Sequence, residues 1–164
     1  MKAKQYFCTM KYRILTLEEL EIFAEDFKQF LIVNGVHAEE WEEMNKSDKE
    51  KAVQFVELFS ETVLQKVYEK IKFVEFRSEN SCMVFKLNKE NIELISISTK
   101  EGSKISLETP EKIHEAFVQR PDELTIFKTQ KAYSKERELE VHEMISQGCV
   151  HSDASFWDSL EKVL

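Results

Sequence analysis

Three glycines and two prolines in 164 residues constrain this chain more than any motif it contains. Average usage would place about 11 glycines and 8 prolines in a chain of this length. Backbone that cradles a phosphate or a dinucleotide needs glycine where it approaches the ligand or takes up positive φ. Gly35, Gly102 and Gly148 stand too far apart in the sequence to build such a loop locally. The expectation is a protein of helices and tight hairpins. Elaborate loops, where catalytic and binding residues usually gather, should be few.

Size and charge narrow the classes further. Residues 1–9 read as a disordered extension, with Met10 as an alternative start, and residues 10–164 as a single domain. A chain this long can bury roughly 70% of its unfolded surface, so it needs neither metal nor disulfide to fold. The net charge of −8 and pI near 5.2 argue against broad nucleic-acid binding, which depends on Lys and Arg neutralising phosphates. Lys2, Lys4, Lys11 and Arg13 do interleave with Tyr6, Phe7 and Tyr12, a mixture that can hold single strands, but the chain behind them is acidic. Cys8, Cys82 and Cys149 show no paired spacing and read as free thiols of a reducing compartment. No apolar run is long enough to cross a membrane. Lys11 and Arg13 interrupt what would be the apolar core of a signal peptide. Cytoplasm is the expected location.

Periodicity supplies the elements. Thr16 and Glu19 form a capping box ahead of Leu17, Leu20, Ala24, Phe27 and Leu31 at helical spacing, with Asn34-Gly35 as the stop. A short acidic helix over 38–45 carries Trp41. Ser47 with Glu50 reads as a second capping box, opening a long helix with Ala52, Phe55, Phe59, Val63 and Val67 on one face. The period then switches from 3.6 to 2. Strands are expected over 72–78, 82–87 and 92–98, with a weaker one over 104–108 and an extra one over 124–128. Thr109-Pro110 starts a helix that Pro121 ends. Ser134 to Gln147 reads as another helix, closed by Gly148. Asp153 starts a last one bearing Phe156, Trp157, Leu160, Val163 and Leu164. The fold expected is α+β: an N-terminal helical hairpin packed on a three- to four-stranded antiparallel meander, followed by C-terminal helices.

Chemistry could concentrate in two places. In HEMISQGCVHSD, His142, Cys149 and His151 are residue types that bind zinc, and zinc is the cofactor this cluster would take. Their spacing matches no standard finger or ribbon, and the simpler reading makes them a helix histidine, a small apolar residue and a capped turn. A catalytic Cys149 is disfavoured, because it follows a helix C-terminus where the dipole opposes a thiolate. HEAFV at His114 and HEMIS at His142 each lack the second histidine of a zincin motif. The other place is Trp41 among Glu39, Glu40, Glu42 and Glu43. A large amphipathic ring rimmed by charge is the composition of an interface hot spot, although core packing of Trp41 and solvated glutamates would also account for it.

MKYRILTLEEL from Met10, Asn34-Gly35, Trp41, ELFSETVLQKV and the terminal GCVHSD together resemble a family of small cytoplasmic Bacteroidota proteins of unknown function. The resemblance spans the chain except residues 1–9. It implies no activity and no functional residues.

The sequence therefore points to a non-enzymatic interaction module, adapter or regulator, whose partner is another protein. No membrane is expected as a partner, and nucleic acid is disfavoured. The alternatives are a zinc-stabilised protein using the His142, Cys149 and His151 cluster, or a small-molecule enzyme whose pocket is assembled from distant positions.

Overall fold

A computed structural model describes residues 9–164. In chain order it contains α1 (Leu17–Ile22), α2 (Ala24–Val33), α3 (Ala38–Ser47), α4 (Lys49–Lys70), β1 (Phe73–Arg77), β2 (Ser81–Leu87), β3 (Asn91–Thr99), α5 (Pro110–Gln119), β4 (Leu124–Ala132), α6 (Arg137–Ser146), β5 (Val150–His151) and α7 (Ala154–Glu161), with a 3-10 turn over Pro121–Glu123. The α+β expectation holds: helices, an antiparallel sheet, then helices. The chain forms two compact units, Met1–Val67 and Tyr68–Leu164. Except for Thr9, the extension expected at residues 1–9 lies outside the described residues.

In the first unit the expected capping box is present. Thr16 Oγ1 accepts from the Glu19 N–H at 3.2 Å, and Glu19 Oε2 accepts from the Thr16 N–H at 2.8 Å. The guanidinium of Arg13 donates to both Glu19 oxygens at 2.7 Å. Those bonds, with the Thr16 N–H, hold the Glu19 carboxyl down at about 2. The helix expected to run unbroken from Leu17 is interrupted at Phe23 (φ −96°, ψ 19°). The ladder bends there without ending: the Phe23 N–H still reaches Glu19 O, and Phe23 O accepts from the Phe27 N–H. No hydrogen bond of Phe23 is lost, so no breaker residue marks the bend. Gly35 closes α2 as expected, at φ +77°. The Val36 N–H reaches back to Leu31 O at 2.8 Å and the Gly35 N–H to Ile32 O at 3.0 Å, the paired bonds that leave αL backbone at the glycine. The second capping box is corrected. Ser47 is the last residue of α3 and its hydroxyl donates to Glu43 O. Asp48, an equally good cap one residue later, accepts from the Lys51 N–H at 3.2 Å.

The second unit is built on a five-stranded sheet in the order β4-β3-β2-β1-β5, antiparallel at every pairing. That is one strand more than the meander expected. Register places Cys82 opposite Ile97 and Val84 opposite Ile95, so all four side chains share a face. They form a core with Ile113 and Ala116 of α5 and with Trp157 and Leu160 of α7. Trp157 is fully buried, as its apolar stripe implied. Asp153 caps α7 by accepting from the Phe156 N–H at 2.8 Å.

Three boundaries differ from expectation for identifiable reasons. Residues 104–108 are not a strand, although Leu107 is fully buried. Ser103 and Ser106 hydroxyls accept from the Ile105 and Glu108 N–H groups, a local alternative to a sheet ladder. The place beside β3 goes to β4, paired over nine residues from Leu124 to Ala132. Helix α6 begins at Arg137 and not at Ser134, because the Ser134 N–H is taken by the Glu140 carboxylate at 2.9 Å.

Candidate functional site

The acidic tract of α3 resolves into two surfaces. Trp41 and Phe27 of α2 meet edge to face, with centroids 5.3 Å apart and planes at 86°. Phe59 of α4 extends the cluster, 4.9 Å from Phe27 and 5.4 Å from Phe30. Trp41 is half-buried and anchors α3 to α2, so the packing role accounts for much of its ring. Edge-to-face pairs of this kind add about 1 kcal/mol beyond the area they bury.

The glutamates distribute around the helix by its 3.6-residue period. Glu39, Glu40 and Glu43 line a shallow groove of about 430 Å³ with Met44, Ser47, Asp48 and Lys51. Trp41 and Glu42 lie outside that groove. Glu40 also completes a capping box, Oε2 accepting from the His37 N–H at 2.8 Å. Met44 offers a half-buried apolar strip, while all three glutamates are exposed. Four carboxylates face one ammonium, that of Lys51. The groove's charge is suited to attracting a cation.

The residues of the other cluster lie on α6, in the turn after it and on β5. His142 lies on α6, where Nδ1 is 2.8 Å from the Tyr68 hydroxyl and the rings are 5.5 Å apart. Cys149 follows α6 with its N–H bonded to Met144 O, and burial pushes its thiol pKa up. His151 is exposed on β5, paired with Val74. Among the described residues no three His, Cys, Asp or Glu side chains gather as a metal-binding group.

Two polar centres had no signal in the sequence. Arg137 donates to four main-chain carbonyls: Tyr68 and Ile71 at 2.9 and 2.6 Å, Leu87 and Asn88 both at 3.1 Å. It ties the end of α4, the β2–β3 turn and α6 together. Glu75 is buried on β1, where it accepts from Arg77 at 2.7 Å and from the Ser152 hydroxyl at 3.3 Å, and Arg77 stacks on the Phe156 ring. The Arg77 Nε is buried there without a hydrogen-bond partner among the described residues.

A family model of unknown function, DUF6495, matches residues 10–164. The chain belongs to that family. The match begins at Met10 and takes in both units, including α3, the Arg137 centre and the terminal helix. No match is found among curated proteins or solved structures.

Proposed function

We propose that this member of DUF6495 is a non-enzymatic interaction module of the bacterial cytoplasm, in Bacteroidota, that holds a basic segment of another protein on the acidic face of α3. The observation that carries the reading is the groove between α3 and the start of α4. Glu39, Glu40, Glu43 and Asp48 surround the apolar strip of Met44, with Lys51 the one positive side chain in the lining. A basic, amphipathic segment complements both features: its cations meet the rim and its apolar positions meet Met44. Trp41 holds α3 against Phe27 of α2.

The test is a pull-down of tagged full-length protein from its native host, at low and moderate salt, beside the charge-reversed variant Glu39→Lys, Glu43→Lys. A near-stoichiometric partner, weakened by salt and lost from the variant while its circular dichroism is unchanged, is the expected result. A partner kept by the folded variant would remove this groove from consideration.

A further inference from the structure

Strand β4 is the outermost strand of the sheet, nine residues long, and among the described residues nothing pairs with its outer side. The ladder fixes which backbone groups face outward. In an antiparallel pair, hydrogen-bonded positions alternate along each strand. On β3 the odd-numbered residues bond to the β2 side, as the Asn88 N–H to Asn91 O and Thr99 N–H to Asn80 O bonds show. The even-numbered ones bond to β4, in phase with the Lys100 N–H to Glu123 O bond, so Thr125, Phe127 and Thr129 spend their backbone groups inward. Ile126, Lys128 and Gln130 therefore present N–H and C=O groups to the outside.

Such an edge is normally guarded by a proline, a bulge or free lysines. Here the register runs without a bulge from Leu124 to Ala132 and the strand has no proline. Both lysines are drawn onto the sheet faces. Lys128 pairs with Glu161 and Glu93 beside the Trp157 ring, and Lys131 pairs with Glu140 at 2.7 Å. Phe127, in the middle of the strand, is 49% exposed.

We infer that β4 is a dimerisation edge: it pairs antiparallel with β4 of a second copy of this chain about a two-fold axis at Phe127, joining two five-stranded sheets into one of ten strands. The register follows from the side chains. With Phe127 on the axis, Ile126 bonds opposite the copy's Lys128 and Leu124 opposite its Gln130, using the outward groups. The two Phe127 rings meet as a non-hydrogen-bonded pair, the closer of the two cross-strand geometries. Thr125 comes opposite the copy's Thr129, and at each end Lys131 comes opposite the copy's Glu123. No like charges oppose one another. Moving the axis to Lys128 would set lysine against lysine and leave both Phe127 rings without the matching ring. The self-complementarity favours a second copy over an unrelated strand.

Sedimentation of the full-length protein over a concentration series tests this, beside Phe127→Thr and Gln130→Pro. Proline at 130 removes an outward N–H and leaves the β3 ladder intact. The expected result is a concentration-dependent dimer that both variants abolish while keeping the wild-type circular dichroism. A chain monomeric throughout would overturn the inference and leave the edge to a strand of another protein. So would a dimer that persists in either folded variant. Cross-linking reads the register independently. In a Cys8→Ser, Cys149→Ser background, Phe127→Cys should oxidise to a disulfide dimer, because a non-hydrogen-bonded pair brings Cα atoms to about 4.5 Å, within disulfide reach. Thr129→Cys should not. Efficient dimer from Thr129→Cys and none from Phe127→Cys would refute the stated register.

Discussion

Arg137 Nη2 donates to the carbonyl of Ile71 at 2.6 Å, a bond that spans 66 residues of sequence. The same side chain serves three further carbonyls, so one residue of α6 closes the end of α4 and the β2–β3 turn. Arg137→Ala would leave several partly buried acceptors unsatisfied at once. The expected loss is about 3 kcal/mol in urea unfolding. Arg137→Lys should recover only part of it, because an ammonium cannot reproduce the planar fork of donors. Equal stability of the two variants would refute the clamp.

Gly148 gives a contrast that can be read by substitution. Its φ is +106°, and an added Cβ would lie 3.3 Å from the Phe76 ring. Gly35 also has positive φ, +77°, but nothing lies within 4 Å of its would-be Cβ. Gly148→Ala should cost about 2 kcal/mol from strain and crowding together, and Gly35→Ala about 1 kcal/mol from backbone alone. Thermal melts of the two variants measure the ordering.

Acid should slightly weaken the first turn of α1. Arg13 and the Thr16 N–H lower the Glu19 carboxyl from its ordinary 4.5 to about 2. A carboxylate depressed on folding stabilises the native state above its unfolded value, and that contribution fades as pH falls from 4.5 through 2. Both side chains are substantially exposed, so solvent screening limits the effect to about 0.5 kcal/mol. Glu19→Gln should be less stable than wild type at neutral pH, with the difference closing below pH 4.5 and shrinking in salt. A gap independent of pH would show that the carboxylate's charge is not involved.

Thiol labelling should separate Cys82 from Cys149. Burial pushes the Cys82 thiol up to about 11, against the opposing pull of Arg77, and the side chain has no exposure. Native protein at pH 8 should leave Cys82 unlabelled until denaturant opens the sheet, while half-buried Cys149 reacts earlier. Mass spectrometry of digests reports each site. Rapid native labelling of Cys82 would contradict the packing of β2 against α5 and α7.

What the sequence made legible follows from where the burial is one-sided. The stripe of Phe156, Trp157 and Leu160 located α7 and its core face, and the switch in period located β1 to β3. Strand β4 was only partly visible because, after Leu124, few of its side chains are buried, so alternation has little to record. At 104–108 the reverse occurred: Ile105 and Leu107 alternate like a strand, but neighbouring serines satisfy the backbone. The glutamates of α3 were evident as a group. Which of them line the groove was not, because the groove is completed by Asp48, between the helices, and Lys51 of α4. Arg137 carried no signal in the sequence, because four of its partners are main-chain carbonyls, which carry no residue identity.

The two tryptophans, Trp41 and Trp157, fall one to each compact unit. Trp157 is fully enclosed, with the Lys86 and Lys128 ammonium groups 5.7 and 5.4 Å from its ring, whereas Trp41 is half-open to water against Phe27. These unlike surroundings should give the two rings different emission: that of Trp157→Phe should follow the helical unit alone and that of Trp41→Phe the sheet unit alone. Whether the halves melt together or in sequence can be read from fluorescence without attaching a dye.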